Sequence, residues 1–105
     1  MDRVMELHKL HLLKHPPKLP DGPATYQLLI VRVASQSGSV QSVDFPSWDS
    51  LARRLASGLV GKDELQEAKV ELDVNRYYKM VLSLSPTQIE LLRTSPRELT
   101  KPRSL

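Results

Sequence analysis

The hydrophobic pattern changes period along the chain, and each change marks an element. From Tyr26 to Val33 apolar residues occupy both parities, with Tyr26, Leu28 and Ile30 opposed to Leu29, Val31 and Val33. A β-branched run apolar on both sides suits a central strand covered on at least part of both faces. Ser35–Ser39 has turn chemistry, and Val40–Phe45 follows as a shorter strand, a hairpin with Gly38 in its turn. Trp48, Leu51, Ala52, Leu55, Ala56 and Leu59 then recur at helical spacing behind an N-cap Ser47, and Gly58 supplies a stop. Lys62–Lys69 is helical, with acids in the first turn where the helix dipole favours them. Val70, Leu72 and Val74 fit a strand as well as a helix. Helix to about residue 73 is preferred, because a strand would need a glycine-free turn at Asn75-Arg76. Tyr77–Leu84 alternates as a strand, and Ser85-Pro86-Thr87-Gln88 is a capping-box start for a last short helix.

These elements predict an α+β fold. The expected sheet is small, three-stranded and antiparallel or mixed, with strands at about 25–34, 39–45 and 76–84. Helices at about 47–57, 62–73 and 86–92 would pack mainly on one face. The most apolar strand, 25–34, would lie centrally, with the last strand on its other side.

Proline divides the remainder. Pro16, Pro17, Pro20 and Pro23 give an extended stretch that separates residues 1–15 from the body. Residues 1–23 therefore form an expected N-terminal arm and linker, 24–92 a single compact domain and 93–105 a basic flexible tail. Whether residues 1–15 are helix or strand is open at this level. A body of about 69 residues buries only about 60% of its unfolded surface, so a second copy or a packed arm would add needed burial.

Charge sharpens the division. The chain of 105 residues carries a net +3, yet residues 24–92 hold seven Lys/Arg against eight acids. Residues 93–105 hold four, Arg93, Arg97, Lys101 and Arg103, against Glu98 alone. A tail of this kind, with Arg53 and Arg54 on the first body helix, is the candidate surface for weak polyanion or nucleic-acid binding without sequence preference. Arg53 and Arg54 project away from the Trp48/Leu51/Leu55 stripe, so both are expected at the surface.

Chemistry-bearing motifs are few. With no cysteine there is no disulfide, thiolate nucleophile or Cys-based zinc site. No P-loop, GxGxxG or HExxH occurs, and the body between residues 24 and 92 has no histidine to serve a nucleophile. Catalysis is therefore not the expected function. His8, His11 and His15 would share one face if their segment were helical, a possible transition-metal site; as a strand, His8 would oppose the other two.

The favoured expectation is a non-catalytic protein-protein interaction module without a cofactor. It would associate with itself or another protein through an uncovered sheet face around Arg32 and Tyr77 or Tyr78, aided by the arm. No apolar run approaches the roughly 20 residues of a membrane span, and no secretory h-region or lipidation signal is evident. A cytoplasmic location and no membrane partner are the matching expectations.

Overall fold

The computed structural model describes residues 4–34, 40–57 and 59–94. The α+β class holds, but the antiparallel sheet has four strands rather than three. They are β1 (Glu6–His15), β2 (Thr25–Arg32), β3 (Val40–Phe45) and β4 (Tyr77–Leu84), joined by helices α1 (Trp48–Ala56), α2 (Lys62–Asn75) and α3 (Pro86–Arg93).

The fourth strand is the segment expected as an arm. β1 lies inside the sheet in the order β3-β2-β1-β4, so β2 and β4 do not pair with each other. Leu10 sits opposite Ile30 on one side and Met80 on the other; Leu12 sits opposite Leu28 and Tyr78. Residues 6–15 are thus part of the compact unit, which does not begin at residue 24. The physical reason is a two-residue alternation in which His8, Leu10 and Leu12 turn inward. Both leucines are fully buried, a contribution of about 1.5–3 kcal/mol each, which no free arm could supply. Pro16 and Pro17 end the strand because neither has an N–H to donate to a ladder. The proline stretch then serves as the β1–β2 connection, folded by a turn in which Gly22 N–H donates to Leu19 O at 3.0 Å.

All three helices cover the same face. α1 packs on β2 and β3, α2 on β4 and β1, and α3 on β3 and α1. The core lies in this layer and combines Leu10, Leu12, Leu28, Ile30, Val43, Phe45, Met80 and Leu84 from the sheet with Leu51, Leu55, Ala68, Leu72 and Leu92 from the helices. Trp48 packs at its margin, its ring tilted against Tyr26 with centroids 6.0 Å apart.

Helix boundaries follow the local chemistry. Ser47 Oγ accepts from Ser50 N–H, and Ser85 with Gln88 makes the full capping box. α2 runs to Asn75, and Arg76 closes it in the left-handed region at φ 63°, its N–H donating to Leu72 O. The strand-like alternation of Val70 and Val74 has another origin. They lie four apart on the solvent side of α2, while Ala68 and Leu72 face the core. The expected hairpin turn at 35–39, the stop at Gly58 and the tail beyond Thr94 lie outside the described residues.

Candidate interaction face

The sheet has a second face, on which none of the helices packs. Its residues follow from register. β1 presents Leu7, Lys9, His11, Leu13 and His15, and β4 presents Tyr77, Lys79, Val81 and Ser83. β2 adds Thr25, Gln27, Leu29, Val31 and Val33, and β3 adds Val40, Ser42 and Asp44. Three cross-strand rows organise the middle. One runs Val40, Val31, Lys9, Val81; the next Ser42, Leu29, His11, Lys79; the third Asp44, Gln27, Leu13, Tyr77.

Much of this face is aliphatic and open. Leu7 is 51% exposed, Val40 53%, Val81 50% and Tyr77 42%, and Val33 is exposed beside Leu7. Single exposed apolar residues are ordinary, but several on one sheet face that no helix covers are a common mark of an interface. Polar side chains along the face are tied to one another. His15 Nε2–H donates to Gln27 Oε1 at 2.8 Å, and Gln27 Nε2 donates to Ser42 Oγ at 2.7 Å. The Tyr77 hydroxyl lies 2.7 Å from His11 Nδ1, and the two rings stack with centroids 5.9 Å apart. Burial first, then the charges of Lys79 and Lys9, push the His11 pKa below its ordinary value. The charge here is mainly positive, with Lys9 on the interior strand β1, Lys79 on the β4 edge and Asp44 on the β3 edge.

The expected contact residues are divided between the two faces. Tyr77 stands on the open face. Tyr78, its neighbour, turns to the helix side, half-buried against the core and donating to Glu64 Oε2 at 3.3 Å. Its pKa is raised by burial and then by the Glu64 charge. Arg32 also lies on the helix side, because it pairs across from buried His8, and it bridges Glu6 at the sheet end. Neither Arg32 nor Tyr78 belongs to the open face; strand parity excludes both.

The polyanion candidates are also divided. Arg54 is buried rather than exposed. Its Nη1 donates to the carbonyls of Leu91, Leu92 and Thr94 at 2.6, 3.3 and 2.5 Å, and its guanidinium lies 5.3 Å from the Phe45 ring centre. Burial lowers its pKa, and its charge is committed to the end of α3, where unpaired helix carbonyls need donors. Arg53 is exposed, and Arg93 bridges Glu90 on its own helix. Arg97, Lys101 and Arg103 lie outside the described residues.

The histidine row does not form one site. His8 is buried on the helix side with Nδ1–H donating to Glu6 O at 3.0 Å, and only His11 and His15 share the open face. Among the described residues no cluster of three or more His, Asp or Glu side chains is placed to hold a metal ion. All buried side-chain N and O atoms of the described residues have partners, so none is left aimed at a ligand.

Most of the open face cannot be singled out from sequence. Lys9, Leu13, Val40, Lys79 and Val81 need the register, although the odd-numbered positions of β2 already point to a second apolar face. No family model, curated protein or solved structure matches this chain. No helix among the described residues is long and apolar enough to cross a membrane.

Proposed function

We propose that this protein is a non-catalytic interaction module that associates with a second copy of itself through the open sheet face. The supporting observation is the aliphatic surface of Leu7, Val33, Val40, Val81 and their half-buried neighbours Leu29 and Val31 on a sheet whose other face carries all three helices. Covering it removes apolar surface from water, the main driving force of association.

The free edges are poorer docking sites. β4 carries Lys79 in its first half, a charge of the kind that discourages edge-to-edge pairing. The face is therefore the favoured route, and the segment expected to assist as an arm contributes instead as an interior strand of that face.

Sedimentation velocity over a dilution series tests this. The wild-type chain is expected to shift from dimer to monomer between high and low micromolar concentration. Val81→Glu should stay monomeric throughout with unchanged circular dichroism and melting temperature, because the side chain is at the surface. A wild-type chain monomeric at several hundred micromolar would overturn the proposal.

A further inference from the structure

Charge is unevenly spread over the open face. Its β1 and β4 half presents Lys9, Lys79 and the rings of His11, His15 and Tyr77, and no acid. Asp44, the one acid on this face among the described residues, lies on β3, three strand spacings or about 14 Å from Tyr77. Several other cations are committed, Lys14 and Lys69 to Asp73 and Arg32 to Glu6, whereas Lys9 and Lys79 join no ion pair among the described residues. His11 lies beside both. Burial and then the charges of Lys79 and Lys9 hold its pKa down, with no carboxylate acting against them.

Register arranges these groups as a track. Lys79 pairs with His11, so Lys9 and Lys79 are diagonal neighbours about 7–8 Å apart. Tyr77 follows two residues from Lys79 on the same side of β4, about 7 Å further on. It is 42% exposed, and its hydroxyl, 2.7 Å from His11 Nδ1, holds the ring in place. Two uncommitted ammonium groups beside a fixed ring suit a ligand that joins negative charge to flat apolar surface. Single-stranded nucleic acid has both: its phosphates meet the cations, its bases stack on rings, and an open sheet is a suitable platform. An acidic peptide supplies carboxylates for the lysines but no regular planar group for the ring.

We propose that the β1–β4 half of the open face binds single-stranded nucleic acid, with Lys9 and Lys79 on phosphates and a base stacked on Tyr77. This occupant goes beyond self-association, and because it covers the same strands the two exclude each other. Two phosphate contacts make the binding weak and salt-sensitive. At about −0.7 per contact on a single strand, the logarithm of affinity falls against the logarithm of salt concentration with a slope of about −1.4. Sequence preference is slight, because every base has a face to stack.

Titration of the full chain with oligouridylate and oligodeoxythymidylate of about ten nucleotides tests this, the protein held at low micromolar concentration so that self-association does not intervene. Lys9→Ala and Lys79→Ala should each take about 0.7 off the salt slope, whereas Lys62→Ala on α2 leaves it unchanged. Tyr77→Ala should weaken binding at least 5-fold, and Tyr77→Phe, which keeps a ring, should stay within about 2-fold of wild type. Circular dichroism of each variant verifies folding. No binding at low salt, or a salt slope that neither lysine variant changes, would overturn the proposal. So would Tyr77→Ala binding like wild type, or polyglutamate binding as tightly as the oligonucleotides, since the face would then attract polyanions without stacking. A chain that binds in the expected way yet stays monomeric at every concentration supports this proposal while the self-association reading fails.

Discussion

Arg54 gives the sharpest stability prediction, because one side chain pairs with the carbonyls that end α3. Its Nη1 has two hydrogens and faces three carbonyl oxygens, those of Leu91, Leu92 and Thr94. Hydrogen bonds to a charged group contribute about 1.5–3 kcal/mol each, so two full bonds amount to about 3–6 kcal/mol before the desolvation of the guanidinium is set against them. Allowing for that cost, Arg54→Ala should destabilise the fold by about 3 kcal/mol, and Arg54→Met, which refills the space but leaves the carbonyls unpaired, by about 2 kcal/mol. In a domain of this size 1 kcal/mol moves the melting temperature by about 4–8 °C, so the alanine variant should melt at least 10 °C lower. Urea denaturation is the assay, with the midpoint falling at unchanged slope. A methionine variant as stable as wild type would refute the reasoning, since the effect would then be one of packing alone.

Two further outcomes follow from local geometry. Arg76 sits at φ 63°, where a β-carbon costs about 1 kcal/mol, so Arg76→Gly should raise the melting temperature by several degrees; a decrease would show that the arginine side chain contributes more than its backbone strain takes away. Asp73 is hydrogen-bonded to Lys14 at 2.8 Å and to Lys69 at 3.2 Å, which holds its carboxyl below the ordinary value of 3.8. Its folded pKa is the lower one, so its stabilising effect is present above pH 3.8 and is lost as pH falls through the folded value. Asp73→Asn should therefore flatten the acid limb of the stability profile, measured as melting temperature between pH 2 and 5, and an unchanged limb would show that the pair contributes nothing.

The sequence makes the local elements legible and leaves the long-range ones obscure. Ser47, Ser85, Pro86 and Gln88 announce helix starts through side-chain chemistry that acts within four residues, and these starts stand as expected. The Tyr77–Leu84 alternation likewise puts Tyr78, Met80, Leu82 and Leu84 on one face. Residues 6–15 are harder to read because His8, His11 and His15, together with Glu6, Lys9 and Lys14, obscure a period of two, and Leu12-Leu13 breaks it. Leu12 turns to the core, whereas Leu13 lies on the open face between Gln27 and Tyr77. The four prolines after it resemble a hinge between units, whereas they form one connection within a sheet. Arg54 escapes the sequence pattern for a related reason: helix periodicity gives the direction of a side chain but not what later packs over it, here the end of α3.

The candidate interaction face depends on this non-local assembly. Leu7, Lys9, His11 and Leu13 become part of a surface only when β1 pairs with β4, which joins residues far apart along the described chain, such as Glu6 with Leu84. Closing a loop of that length costs conformational entropy, and the compensation lies on the opposite side of the same strand, where Leu10 and Leu12 are buried between sheet and helices. Even-numbered residues of β1 thus hold the strand in place, and odd-numbered residues use that placement to form the centre of the face. A partly folded chain in which β2 and β3 pair alone would present Leu29, Val31 and Val40 without Lys9, Lys79 or Val81. The open face is therefore a property of the complete four-stranded sheet, not of any hairpin within it.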